Sequence, residues 1–378
     1  MIINLAHKIE LNPNNKQANF LSRACGVSRF TYNWGLAEWK RQYEAGLKPS
    51  GFGMKKEFNA IKKDLFPWIM ESPRDANSQP FADLQTAFNN FFKGKSGYPV
   101  FKKKGQNDSF YIANDQFKID CKKIRVPKIG WIRLKESLNL SGKILSGTVS
   151  RIANKWFVSI NLSMEITPPT FKNQEVVGVD LGVKKLAVLS NGEQIEGTKP
   201  HKNLLDKLRR LNKALSRKVK GSKNWLKSKL KLSKLHARIA NIRKDILHKL
   251  TTKLVQEFDV IGIEDLNVSG MVRNHKLARS ILDMGFSEFR RQLGYKSVIA
   301  GVKIVFADRF FPSSKMCSRC GNVKNDLTLS DRVYCCNNCG FRLDRDLNAA
   351  INLKNIAVGS TVSACGLISS GTAKLVAA

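Results

Sequence analysis

The chain has 378 residues, 65 Lys and Arg against 30 Asp and Glu, a formal net charge of +35 and a pI near 10.0. That length can bury a substantial core divided over two or three domains, and so large a positive charge is not needed for turnover of small neutral metabolites. It points to a polyphosphate partner, and nucleic acid fits better than a membrane: no apolar run reaches about eighteen residues, no leader peptide is expected, and the basic residues are spread along the chain.

Residues 2 to 11 alternate, with Ile3, Leu5, Ile9 and Leu11 on one face and Asn4, Lys8 and Glu10 on the other, which predicts a half-buried strand. His7 falls on the inward face as a core or edge histidine, since no second metal-ligating side chain lies near it in sequence. From Asn15 to about Phe92 the period becomes helical, through Ala18, Leu21, Cys25, Phe30, Trp34, Ala37 and Tyr43 and again through Phe81, Leu84, Ala87, Phe88 and Phe91. Arg23, Arg29, Lys40, Arg41 and Arg74 interleave with these aromatics. The pattern serves either base stacking and phosphate contact or an amphipathic bundle with a solvated basic face. Between Tyr98 and Glu165 strand signals return in FKKKGQNDSFYI, KIRVPKIGWIRL and a hairpin-like pair, GTVSRI and KWFVSINLSM, around Asn154. The expectation is a small β-barrel completed by the first strand and interrupted by a helical insert, followed by a linker at Thr167, Pro168 and Pro169.

A second domain begins near Glu175. An apolar run from Val176 to Val179 ends at Asp180, a turn with Gly182 follows, then a strand from Leu186 to Leu189, a turn at Asn191 and Gly192, and a short third strand. Val260 to Ile263 forms a second buried run ending at Glu264 and Asp265. An acid at the end of a buried strand is costly without a partner or a metal. Between these strands, residues 199 to 253 carry nineteen Lys and Arg against Asp206 and Asp245 alone. Leu204, Leu208, Leu211 and Leu215, and later Leu235, Ile239, Ile242 and Ile246, predict two helices packed through a leucine seam and joined near Gly221 to Asn224. So basic a pair would repel itself unless phosphate neutralised it. Helical patterns to about Ile299 and a strand from Val302 to Ala307 then lead into CSRCG and CNNCG.

Cys317, Cys320, Cys336 and Cys339 form two CxxC knuckles, each followed by Gly, the ligand set and spacing of a tetrahedral structural Zn²⁺ site. Cys335 is an extra thiol beside Cys336, and CxxC spacing favours Cys336. Cys25, Cys121, Cys335 and Cys365 show no disulfide pattern, so a reducing cytoplasm is expected. Directly after the second knuckle, Asp344 and Asp346 precede a helix from Leu347 to Ile356 with Ala349, Ala350, Ile351 and Leu353 on its apolar side. By position alone Asp344 can serve either as the cap of this helix or as a further metal-binding acid. Past Ile356 the chain becomes rich in Gly, Ser and Ala, and residues 358–378 are expected to be a disordered tail.

This succession of strand meander, helical crossover, acid-bearing strand, further helix and strand, and acid-led helix is that of the ribonuclease H fold. In it Asp180 and Glu264 end adjacent parallel strands and the final acid faces them. Three carboxylates with no basic neighbour in their motifs would repel one another unless Mg²⁺ or Mn²⁺ bridged them, and two such ions suit phosphodiester hydrolysis. No histidine lies in these motifs to act as a general base.

GVDLGVKKLAV, IGIEDLNVSGM, FPSSKMCSRCG, CNNCGFRLDRDLNAAINL, TYNWGLA and PVFKKK together resemble the OrfB/TnpB family, transposon-encoded relatives of type V CRISPR effectors, over residues 1 to about 356. The resemblance implies an RNA-guided DNA endonuclease with a guide RNA from the transposon end, which cuts target double-stranded DNA beside a short motif with one RuvC site, Asp180, Glu264 and Asp346. The choice of Asp346 over Asp344 comes from this resemblance. The fold class so implied is a multidomain α+β and α/β protein: residues 1–12 and 98–170 as a wedge barrel, 13–97 as a recognition insert, and 171–310 as a RuvC-like domain with a basic helical hairpin at 199–256. Residues 311–343 would be a zinc-ribbon insertion and 344–357 the final helix. A prokaryotic, nucleoid-associated protein acting as one copy per RNA is expected. A strand-transferase of the same fold and a non-catalytic zinc-ribbon binder are the rival readings.

Overall fold

In the computed structural model, residues 1–167, 175–328 and 330–364 are described, with side chains as far as Ser360. The chain divides into two units, Met1–Ile166 and Thr167–Ala378.

In the first unit the alternating N-terminal segment forms β1 (Ile2–Asn12), with Ile9 and Leu11 buried and Lys8 exposed. Asn14 then ends the strand by exchanging hydrogen bonds with Gln17, which starts α1 (Asn15–Glu44). Ser50 caps α2 (Gly51–Leu65), and α3 (Arg74–Phe92) completes a helical excursion. The chain returns as β2 (Ser109–Ala113), β3 (Lys118–Asp120), β4 (Lys123–Val126), β5 (Gly130–Leu134), β6 (Lys143–Ile152) and β7 (Lys155–Glu165). These strands and β1 make one antiparallel sheet in the order β2-β6-β7-β1-β5-β4-β3, with β1 paired along β7 from Ile2 opposite Glu165 to Leu11 opposite Trp156. Ala153 and Asn154, both at positive φ, supply the two-residue turn between β6 and β7. Ile9, Val149, Val158 and Ile160 from the sheet share one core with Leu21, Phe58, Phe81 and Phe88 from the helices.

Two sequence expectations need correction here. Ala37 and Tyr43 are exposed; the buried stripe of α1 runs instead through Leu21, Cys25, Ser28, Tyr32, Leu36 and Trp39, because α3 packs against that side. The stretch FKKKGQND does not enter a strand, and β2 begins only at Ser109, where Arg29 of α1 meets Asp108 at 3.2 Å.

The second unit opens with β8 (Val176–Leu181), β9 (Ala187–Leu189) and β10 (Gln194–Ile195), followed by α4 (Pro200–Asn203), α5 (Leu205–Ser216) and α6 (Lys223–Glu257). Ser222 caps α6 by accepting from the Trp225 N–H. Leu208 of α5 packs on Leu235 and Ile239 of α6, the apolar seam between these basic helices. Then come β11 (Val260–Glu264), α7 (Val268–Val272), α8 (His275–Met284), α9 (Phe286–Ala300), β12 (Lys303–Ala307), β13 (Val333–Cys335), β14 (Arg342–Asp344) and α10 (Arg345–Ala364). The five-stranded sheet has the order β10-β9-β8-β11-β12, with β8, β11 and β12 parallel and β9 and β10 antiparallel. Val177, Val179, Ile261 and Ile263 bury one face under Leu247, Leu250 and Leu254 of α6 and Phe289 and Leu293 of α9. α10 covers the other face.

α10 also runs further than its composition suggests. It continues through 358–364, where a tail was expected, because Ala357 packs on Gly262 and Lys303 of β12 donates to the Ser360 carbonyl at 3.3 Å. Docking outweighs the weak helix propensity of Gly359, Ser360 and Thr361. The rest of that expected tail, 365–378, and the Pro168 and Pro169 linker lie outside the described residues.

Candidate active site

The site is built on two glycines. Gly178 and Gly262 face each other in the parallel register of β8 and β11, and each lies two residues before an acid. A Cβ on Gly178 would meet the Ala350 carbonyl oxygen at 1.9 Å, and one on Gly262 the Leu353 carbonyl oxygen at 2.3 Å. The backbone of α10 therefore rests directly on the sheet, an approach only glycine permits. Side chains two apart in a strand share a face, so Asp180 and Glu264 project from the face that α10 covers. They occupy neighbouring positions at the carboxyl ends of their strands, one step beyond the pairing of Val179 with Ile263. On α10, Asp346 stands one turn before Ala350, on the same stripe as Leu353 and Ala357. All three acids are half-buried.

Their charges meet at Asp180. Burial, followed by the carboxylates of Glu264 and Asp346 and more weakly Asp344, holds the Asp180 carboxyl well above the usual range; Arg345 opposes this. The expectation that the acids have no basic neighbour is thus corrected. Arg345 is largely buried and reaches the Thr328 carbonyl at 3.1 Å and the Asp331 carbonyl at 3.3 Å, but it leaves the cluster net negative. Asp344 accepts from the N–H groups of Asp346 at 3.0 Å and Leu347 at 3.1 Å, which makes it the N-cap of α10. Asp265, adjacent to Glu264, pairs with Arg290 and, at 2.9 Å, with Arg309; hydrogen bonding to Arg290 first and then Arg309 holds its carboxyl below the usual range.

Cys317, Cys320, Cys336 and Cys339 come together with their sulfurs all within 4.8 Å of one another. Cys317 and Cys339 are 3.7 Å apart and Cys320 and Cys336 3.6 Å. Tetrahedral Zn–S bonds of about 2.3 Å require sulfur separations of about 3.8 Å, so the cluster fits the ion. Donation from the N–H groups of Cys339 and Asn338 lowers the Cys336 thiol, while the neighbouring sulfurs of Cys320, Cys336 and Cys317 raise that of Cys339, so the four thiols share their protons until a metal displaces them. Cys335 stays outside the cluster, in β13 opposite Arg342 of β14.

Several residues at this site lie inside the stretches FPSSKMCSRCG and CNNCGFRLDRDLNAAINL but were given no role by sequence reasoning. Ser313 is buried and donates its hydroxyl to Glu264 Oε1. Asn348 and Asn352, fully and almost fully buried on α10, donate to the Met316 carbonyl at 2.7 Å each, and Asn352 also to the Ser313 carbonyl at 2.7 Å. The available signal is two Asn residues four apart on the stripe that also carries Ala349 and Leu353, together with a Gly two places before each strand acid.

An α/β unit with an acid cluster at the end of its sheet and a four-cysteine cluster beside its last helix is the class of protein these features define. Residues 159–275 match a family model described as "Probable transposase" (OrfB_IS605), residues 286–353 one described as "Cas12f1-like, TNB domain", and residues 1–48 one described as a helix-turn-helix domain. Those last residues form β1 and a single unbroken α1 here. An Escherichia coli protein named "Putative RNA-guided DNA endonuclease InsQ" is 36% identical, over 97% of this chain and 95% of its own. A Streptomyces pristinaespiralis protein bearing the same name without the suffix is 37% identical, over 96% and 90%. The chain belongs to this OrfB/TnpB family. Its fold is that of a Cas12f1 chain solved with sgRNA and target DNA, at TM-score 0.60 and 15% identity over 90% of this chain and 83% of the other. Among the described residues no helix is long and apolar enough to cross a membrane.

Proposed function

We propose that the protein is an RNA-guided DNA endonuclease, and that Asp180, Glu264 and Asp346 are its catalytic acids. The observation that carries this reading is their convergence at one end of the five-stranded sheet, with an excess of negative charge that Arg345 does not cancel. The names of full-length relatives support the activity, and the charge of +35 supports a nucleic-acid partner. The second unit is then a RuvC-like ribonuclease H domain with the four-cysteine ribbon inserted before α10. The sheet of the first unit is a wedge-like barrel and α1 to α3 its recognition insert.

Hard oxygen donors in a net-negative pocket suit Mg²⁺ or Mn²⁺, held by Asp180, Glu264 and Asp346; such ions supply activation of water and stabilisation of the leaving oxygen of a phosphodiester. The protein's own part is to aim these oxygens. β8 and β11 set Asp180 and Glu264 in register, and α10 brings Asp346 over them. The basic helices α5 and α6 give the backbone of a guide–target duplex a surface to grip, with sequence reading left to base pairing.

The test is cleavage of a matched duplex by the protein with its copurified RNA and Mg²⁺. Wild type should cut, while Asp180→Ala, Glu264→Ala and Asp346→Ala should each bind target without cutting. RNA should copurify, and affinity should fall steeply with salt. Loss of binding in all three variants would defeat the assignment. One observation favours a second reading, the description of the OrfB_IS605 model as a transposase: joined rather than cut products from labelled transposon ends would establish strand transfer. A wild type that binds a matched duplex but leaves it whole would support a non-catalytic binder.

A further inference from the structure

We infer that Ser313, held in place by Asn352, is a positioning residue for Glu264, and that α10 thereby aims all three acids. The inference rests on the nuclease reading above and adds a residue to it.

The geometry is a chain of short contacts. Ser313 Oγ donates to Glu264 Oε1, and among the described residues no hydrogen bond falls on Oε2. The hydroxyl is 49 residues from Glu264 in sequence and sits in a loop with no regular structure to hold it. What holds it is α10. Asn352 Nδ2 donates to the Ser313 carbonyl and to the Met316 carbonyl, both at 2.7 Å. Asn348, one turn earlier, donates to the same Met316 carbonyl at 2.7 Å and accepts from the Ser318 N–H at 3.0 Å. Ser313, Asn348 and Asn352 are all buried, so each bond replaces one that water cannot supply.

Each carboxylate then takes its position from α10 by a different route. Asp346 is part of the helix, Asp180 lies beyond the glycine on which the helix backbone rests, and Glu264 is reached through Asn352 and Ser313. The same two asparagines span Cys317, whose neighbours Met316 and Ser318 they bind. The thiolate cluster therefore anchors the far end of the loop that carries Ser313. Hydrogen-bonded partners that orient a metal-binding carboxylate are worth about 10- to 100-fold in metal affinity or activity.

The test uses the full chain and Mn²⁺ as the probe, with two readouts. One is the Mn²⁺ concentration giving half-maximal cleavage by the protein–RNA complex; the other is the Mn²⁺ concentration giving half-maximal thermal stabilisation of the RNA-free chain, with Asp180→Ala as the unresponsive control. Ser313→Ala should raise both concentrations about 10- to 100-fold with target binding and zinc content unchanged. Ser313→Thr, which keeps the hydroxyl, should restore them, and Asn352→Ala should shift them in the same direction as Ser313→Ala. A Ser313→Ala chain with wild-type Mn²⁺ dependence overturns the inference alone. Loss of zinc or of thermal cooperativity in Ser313→Ala, unrescued by Thr, assigns the hydroxyl a merely structural role and overturns it too. A wild type that neither cuts nor responds to Mn²⁺ overturns the nuclease reading and this inference together.

Discussion

Gly178→Ala isolates the contact on which the site is built. The added methyl would lie 1.9 Å from the Ala350 carbonyl oxygen and 2.4 Å from the Lys354 nitrogen, both backbone atoms that no rotamer change can move. Contacts below 3.0 Å are not sustained, so α10 must withdraw from β8 by about 1 Å, the difference between 3.0 and 1.9 Å. Overpacking of this kind costs about 1–3 kcal/mol. With a urea slope of about 2 kcal/mol per molar, the unfolding midpoint should fall by about 0.5–1.5 M at unchanged slope. Asp346 moves with the helix, and on the catalytic assignment proposed for it a displacement of about 1 Å costs about 10²-fold in rate. The assay is single-turnover cleavage at a temperature where urea titration shows the variant fully folded. Gly294→Ala in α9 is the control: nothing lies within 4 Å of its added methyl, so it should leave cleavage unchanged and stabilise the helix by about 0.5–1 kcal/mol. Wild-type cleavage and midpoint in Gly178→Ala would refute the close approach of α10 as the source of the geometry.

Asp265→Asn should cut at near the wild-type rate, because Asp265 is engaged by Arg290 and Arg309; Glu264→Gln should not cut, and rate measurements on the pair separate the adjacent acids. Its depressed carboxyl contributes stability above the ordinary range near 3.8 that is lost as pH falls below it, so Asp265→Asn should flatten the acid limb of the stability curve. Cys336→Ser should lower zinc content, measured by elemental analysis, and destabilise 317–341, measured by amide exchange. Cleavage should fall with it, whereas removing Mg²⁺ from intact protein should stop cutting with the exchange pattern unchanged.

How far these features could be read from sequence depends on the separation of the contacts that make them. The alternation in β1 and β7, the apolar runs ending at Asp180 and Glu264 and the CxxC pairs are local patterns, and each was legible; the seam of α5 and α6 was legible at Leu204, Leu208, Leu211, Leu235 and Ile239 but not at Ile246, which packs in the core of the five-stranded sheet instead. The exposure of Ala37 and Tyr43 was not, since it depends on which side of α1 faces α3. The end of α10 was missed because packing on Gly262 and a bond from Lys303, 57 residues away, extend a segment of poor helix formers. Spacing does not separate Asp344 from Asp346; the choice of Asp346 came from the family resemblance, and in the structure Asp344 is engaged as the helix cap by the Asp346 and Leu347 N–H groups. Ser313 lies inside FPSSKMCSRCG, one of the stretches that carry the family resemblance, but nothing in that stretch points to Glu264. Its partners are 39 and 49 residues distant, and a serine in a loop carries no period.

The acid cluster works against the fold that carries it. Burial and the charges of Glu264 and Asp346 raise the Asp180 carboxyl well above the ordinary value near 3.8, so without a divalent ion the folded state holds a proton that the unfolded chain releases. The sign follows from linkage: the folded chain is favoured below the unfolded value, and that contribution is lost as pH rises through the raised one. Mg²⁺-free protein should therefore lose stability across that interval relative to Asp180→Asn, which has no proton to lose. Mg²⁺ should restore wild type by binding the folded state alone, and should do nothing for Asp180→Asn. Chemical unfolding of both chains in Mg²⁺-free buffer and in Mg²⁺, from below 3.8 to neutral pH and at equal zinc content, measures this directly. Parallel curves for the two chains without Mg²⁺ would mean that neither burial nor the neighbouring carboxylates raise Asp180. A site without that repulsion would need no such backing as α10 receives from Gly178, Gly262 and the Asn348–Asn352 pair, whose contacts hold together groups that would otherwise move apart.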